Sequence, residues 1–144
     1  MAFSGSLEDR LAIHELVATY ADAVSRRNAD EWGSVWAEDA LWRVPGFPGL
    51  DRVEGRKAIV AAWSEAMTNF TENFMVQTVG ALTIDEDKAT GRAYNQETAT
   101  DLNGNTVWAK GAYEDEFVKR DGRWWFATRI YSPGHSGSHT IARP

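Results

Sequence analysis

Cysteine is absent from all 144 residues, which excludes disulfides, thiolate chemistry and sulfur-ligated metals. No apolar run approaches the ~20 residues needed to span a bilayer. Basic charge is in the minority. Fifteen Lys and Arg stand against 21 Asp and Glu, giving a net charge of -6 and a pI near 5.0. That balance argues against nucleic acid or an anionic membrane surface as partner. Single-stranded nucleic-acid binders also use aromatic residues, but set them in a basic groove that is missing here. The start, MAFSGSLEDR, has no basic segment followed by an apolar one, so no export signal is read and a cytoplasmic location is expected. Internal repeats and linkers are also missing. One domain over 1–144 is expected, long enough to bury a core without staples, with a loop-like Gly, Ser and His tail over 132–144.

Tryptophan is in excess, at seven residues. Such side chains serve a core or line an aromatic pocket, and the sequence leaves both open. Ser6-Leu7-Glu8-Asp9 resembles a capping box with Asp in place of Glu or Gln, so a helix begins near Leu7. Ile13, Leu16, Val17, Tyr20 and Val24 form one apolar stripe at helical spacing. A short second helix carries Trp32, Val35 and Trp36, followed by a short strand over Ala40–Val44. Pro45-Gly46-Phe47-Pro48-Gly49 cannot be helical. A third helix runs from about Arg56 to Asn69, with Ile59, Trp63 and Met67 on its stripe.

After Phe70 the pattern changes to strands: Phe74–Ile84, Ala89–Thr100, Thr106–Lys119 and Arg123–Tyr131. Asn103-Gly104 is a type I′ hairpin signal, and a further turn lies at Arg120-Asp121-Gly122-Arg123. Three helices followed by about four long antiparallel strands is an α+β pattern. For Trp124 and Phe126 to meet the stripe of the first helix, the sheet must curve strongly. The space between helices and sheet is then the natural ligand cavity.

The order IxxLxxxY (Ile13, Leu16, Tyr20), SVWAEDALW (Ser34–Trp42), GAYEDEF and RDGRWWF resembles the SnoaL-like branch of the NTF2-like superfamily over about residues 7–131. The pattern is most similar to the group holding scytalone dehydratase, γ-hexachlorocyclohexane dehydrochlorinase and bile-acid dehydratase. The resemblance implies a cone-shaped α+β barrel, three N-terminal helices in a strongly curved, mostly antiparallel sheet. It further implies an apolar pocket, dimers or trimers, and lyase or isomerase chemistry without a cofactor. Relatives place an Asp near the end of the first helix and a His at the start of the first long strand, where this chain has Ser25 and Met75. Neither can act as that dyad. The resemblance also puts Trp42 and Arg129 in the pocket and makes Tyr20 face the ligand.

Without the dyad, a base must come from elsewhere. Ala93, Asn95, Glu97 and Ala99 share one strand face. If that face points inward, Glu97 sits in an apolar cavity with a raised pKa, suited to taking a proton. If Tyr94 and Thr98 point inward instead, Glu97 is solvated. Arg129 would hold a carboxylate, phenolate or enolate, or form an ion pair with Glu97 or Asp115. Asp22 lies about 200° around the helix from Tyr20 and is expected at the surface. His135 and His139 are four apart in a Gly/Ser stretch with no third ligand, so no metal site is expected. His135 could still cover the cavity mouth as acid or base.

The catalytic candidates are therefore Tyr20, Glu97, Arg129 and His135. Trp36, Trp42, Trp63, Met75, Asn95 and Tyr113 are the candidates for binding substrate. The function that follows is a lyase or isomerase acting on a small apolar, aromatic molecule. It would remove a proton, then eliminate a group, lose formaldehyde by retro-aldol cleavage or move a double bond. The alternatives are a ligand-binding or subunit-assembly protein on the same scaffold, or a subunit like the β chain of ring-hydroxylating dioxygenases.

Overall fold

The computed structural model describes residues 2–140. Helix α1 spans Leu7–Ser25, α2 Ala29–Gly33 and α3 Arg56–Met67. The strands are β1 Trp36–Arg43, β2 Val53–Glu54, β3 Phe70–Asp85, β4 Lys88–Asp101, β5 Asn105–Arg120 and β6 Arg123–Thr140. They form one sheet in the order β2-β1-β6-β5-β4-β3. Only the β1–β6 pair is parallel, because β1 arrives from the helical half while the rest is a meander. The sheet stays open, with β2 and β3 as its edges. No helix of the described residues is long and apolar enough to cross a membrane.

Ser6 caps α1 by accepting from Asp9 N. The same Asp9 reaches across the molecule to accept from Lys119 Nζ at 2.9 Å and Trp124 Nε1 at 2.8 Å. The start of α1 is thus tied to the hairpin of β5 and β6, whose Phe126 packs 5.8 Å from Tyr20 of α1. The sheet curves over α1 as expected, helped by register shifts at Val79/Ala81 and Glu116/Phe117.

Two expectations are corrected. The tail from Ser132 is not a loop to Thr140, since β6 continues to that residue paired with β5. A bulge at Lys110/Gly111 lets the pairing pass Gly134. Asn103-Gly104 does not form a type I′ turn, which needs positive φ at both residues. Here Gly104 has φ +83° and Asn103 has none in that region. Asp101 Oδ1 accepts from Asn103 N and Asn105 N, which draws the chain into a three-residue loop instead.

Candidate functional site

The concave face of the sheet is read from its register. Met75 on β3 pairs with Glu97 on β4, Gln77 with Asn95, and Asn95 with Gly111 on β5. Ala93 pairs with Tyr113, Tyr113 with Tyr131, and Asp115 with Arg129 on β6. Ala93 and Asn95 are buried and Glu97 half-buried, while Tyr94, Gln96 and Thr98 between them are exposed. The strand face carrying Glu97 therefore points inward.

Arg129 is fully buried. Its Nε and Nη2 donate to the Asp115 carboxylate at 2.8 and 3.1 Å. Its guanidinium carbon lies 4.0 Å from the centre of the Tyr113 ring, 4.3 Å from Tyr20 and 4.4 Å from Phe126. Three aromatic faces and one carboxylate thus compensate a charge that burial alone would not tolerate. Asp115 settles the choice of partner for the ion pair. Nη1 has no acceptor among the described residues.

Glu97 lies on the same inward face, paired across the strands with Met75. Burial raises its carboxyl above the usual range, and the nearby Asn95 amide partly offsets this. Asn95 Nδ2 nevertheless makes no hydrogen bond of normal geometry. Burial raises the Tyr20, Tyr113 and Tyr131 hydroxyls, and the Glu97 charge contributes to each. Burial raises Asp115 too, against the pull of the Arg129 guanidinium. The result is an inward polar layer that contains the raised Glu97 carboxyl, three tyrosines and the Arg129 cation.

The positions expected for the His–Asp dyad do meet. Met75 N donates to Ser25 Oγ at 2.9 Å, and that hydroxyl donates to Ala21 O at 3.0 Å. Ser25 is a backbone tether between α1 and β3. Met75 is buried, its sulfur accepting from Gln77 Nε2 at 3.4 Å.

The tryptophans pack on one another. Trp32 stacks on Trp63 at 4.7 Å and 15°, with Trp36 and Trp42 set edgewise at 5.4 and 5.3 Å from Trp32. All four are buried, so Trp36, Trp42 and Trp63 form one end of the core. The indole nitrogens of Trp32, Trp36 and Trp42 have no acceptor among the described residues. Two clefts lie outside this group. One of about 370 Å³ opens between α1 and β3, beside His14, Val17 and Gln77. The other, about 390 Å³, lies across β3–β6 beside Thr83, Arg92 and Glu114.

His135 is not at a cavity mouth. It is exposed and pairs with Lys110, which pairs in turn with Gln96, so it shares their outer face. The side chain of His139 lies outside the described residues. Asp22 is at the surface, paired with Arg26. Among the described residues no group of three or more His, Asp or Glu could hold a metal.

Three inward residues escaped the sequence reading: Gln77, Tyr131 and Trp32. Gln77 alternates with Met75 and Tyr131 with Arg129, so strand period alone could have found them. Gly111 is a further signal. A Cβ there would lie 2.5 Å from the Tyr131 hydroxyl, so glycine is what lets that ring cross β5.

Comparison with solved structures gives the same architecture. A hexachlorocyclohexane dehydrochlorinase, LinA type 2, superposes with a TM-score of 0.84 at 21% identity, over 96% of this chain and 95% of that one. A candidate scytalone dehydratase from Novosphingobium aromaticivorans gives 0.81 at 19% identity, over 94% and 91%. A candidate aromatic ring hydroxylase from Novosphingobium aromaticivorans gives 0.85 at 26% identity, over 94% and 96%. A comparison of the sequence with curated proteins finds no match. The helices in a curved open sheet accord with the match of residues 5–130 to the SnoaL-like domain, and the chain belongs to that family.

Proposed function

We propose that the protein is a cofactor-independent lyase or isomerase acting on a small, largely apolar and aromatic molecule. The observation that carries this is the inward Glu97, its carboxyl raised by burial, in a layer of three tyrosines that ends at Arg129. A carboxyl so placed holds a proton more tightly than a solvated one, which suits it to act as a base toward a substrate. In the forward step Glu97 takes a proton from the substrate. The electron pair left behind expels a leaving group, cleaves a carbon–carbon bond with loss of formaldehyde, or shifts a double bond. Negative charge that develops on oxygen or on a departing group meets the uncommitted Nη1 of Arg129. Tyr20 and Tyr113, both held neutral by burial, orient the ring and donate hydrogen bonds. The dehydrochlorinase and dehydratase names of the structural neighbours support this reaction class.

The test is turnover of a panel of small aryl alcohols, halides and diols, followed by mass spectrometry. At least one class is expected to react, and Glu97→Gln to slow it about 10²–10⁴-fold with the fold intact. Turnover unchanged in Glu97→Gln would remove Glu97 from the mechanism. One observation favours a second reading, a binding protein without catalysis: Ser25 is committed to backbone where relatives keep a carboxylate. Saturable binding of panel members with no turnover would establish it.

A further inference from the structure

Gln77 and Asn95 face each other across β3 and β4. Gln77 Nε2 donates to Asn95 Oδ1 at 3.0 Å and lies 3.4 Å from Met75 Sδ. Two primary amides so paired can close a ring of two hydrogen bonds, and here only one is made. The remaining halves, Gln77 Oε1 and Asn95 Nδ2, are both buried and make no hydrogen bond of normal geometry among the described residues, although the Asn95 amide lies near the Glu97 carboxyl. Asn95 is only 4% exposed, so solvent does not supply one freely.

One acceptor and one donor are therefore left over from the same pair. The group that satisfies both must donate and accept. A carboxylate only accepts and would face Gln77 Oε1 unfavourably, and an ammonium only donates. A hydroxyl does both through one oxygen. The surroundings fit an aromatic one. Gln77 forms part of the cleft of about 370 Å³ between α1 and β3, with Val17, Ala18 and Val79 as apolar wall. On the other side the Tyr131 ring lies over Gly111, the β5 neighbour of Asn95. Glu97 is the next inward residue along β4.

We propose that Gln77 and Asn95 form a seat for a single phenolic or alcoholic hydroxyl of the ligand, entered through the α1–β3 cleft. This rests on the reading of Glu97, two residues from Asn95 on the same face of β4, as the base, and it makes the two amides specificity residues. They select hydroxylated over ether or hydrocarbon ligands and bring the hydroxyl beside Glu97.

Calorimetric titration with 2-naphthol and with 2-methoxynaphthalene tests it. The wild-type protein is expected to bind 2-naphthol about tenfold or more tightly than the ether, since the ether leaves the buried acceptor unpaired. In Gln77→Met/Asn95→Leu, checked for folding by circular dichroism, the two affinities converge to within about twofold. In Glu97→Gln the preference persists. Equal affinities in the wild type, binding of neither probe, or a preference that survives the double substitution would overturn the proposal. The wild-type comparison needs no variant to fold. Loss of preference in Glu97→Gln alone would assign the hydroxyl to Glu97, ending this inference and leaving the catalytic reading intact. Turnover lost in Glu97→Gln while the two probes bind equally would do the same.

Discussion

Arg129 has two nitrogens committed to Asp115 and one with no partner among the described residues, inside a cage of three rings. That division separates its structural role from its chemical one. Removing one member of a buried pair leaves an uncompensated charge, so Arg129→Met is expected to cost about 3–5 kcal/mol of stability. Replacing both members with apolar residues of similar size, Arg129→Met with Asp115→Leu, should recover most of that loss. Urea unfolding of the two variants checks the stability side. If Nη1 serves the reaction, the recovered double variant stays folded yet fails to turn over substrate. If the pair is only architectural, the double variant keeps its activity.

Helix α1 shows how a local signal can have a distant consequence. The capping residues Ser6 and Asp9 were legible because a cap is a matter of spacing within four residues. The three-point contact of Asp9 with Ser6, Lys119 and Trp124 was not, because it depends on how a hairpin over a hundred residues away folds back. Asp9→Ala is expected to destabilise the protein by roughly 1–2 kcal/mol, as the loss of three hydrogen bonds to its carboxylate implies while the backbone cap to Ser6 remains. A shift of the urea midpoint in Asp9→Ala but not in Glu8→Ala would locate the effect in this contact; equal shifts would refute it. The strands divide in the same way. Period 2 grouped Ala93, Asn95, Glu97 and Ala99 on one face of β4 but left open which face points inward, and the burial of Ala93 and Asn95 decides it. The second half of β6 was missed because Ser132–Thr140 has the composition of a loop. It is a strand only because β5 offers it a continuous edge. Asn103-Gly104 misled for a similar reason, since Asp101 captures two backbone amides and overrides the dipeptide preference. The tryptophan count announced an aromatic interior. It did not say that four indoles would pack on one another.

At the scale of the whole molecule, two surfaces of opposite kind make separate predictions. The outer face of β3 and β4 exposes Phe74, Val76 and Tyr94 at 61%, 48% and 53%. Apolar exposure of that extent on neighbouring strands is what a contact between copies would cover. We expect a dimer or trimer by size-exclusion chromatography with light scattering, shifted to monomer in Phe74→Lys/Tyr94→Lys; an unshifted mass would place the contact elsewhere. The buried face governs how stability follows pH. Burial raises Glu97 and Asp115, so the folded chain binds their protons more tightly than the unfolded chain does. Their contribution is whole below the ordinary values of 4.5 and 3.8, and is lost as pH rises from there through the raised values. Asp9 acts in the opposite sense. The Trp124 indole first, then Lys119 and Ser6, hold it at about 2, so its contribution is present above 3.8 and lost as pH falls toward 2. Stability should therefore peak in the mildly acidic range and decline on both sides for different reasons. Urea midpoints measured from pH 3 to 8 should show the alkaline decline flattened in Glu97→Gln, with Asp115 responsible for what remains. The acid decline should flatten in Asp9→Ala alone. A Glu97→Gln profile parallel to the wild type across the whole range would mean that Glu97 is solvated, and the catalytic reading would lose its base.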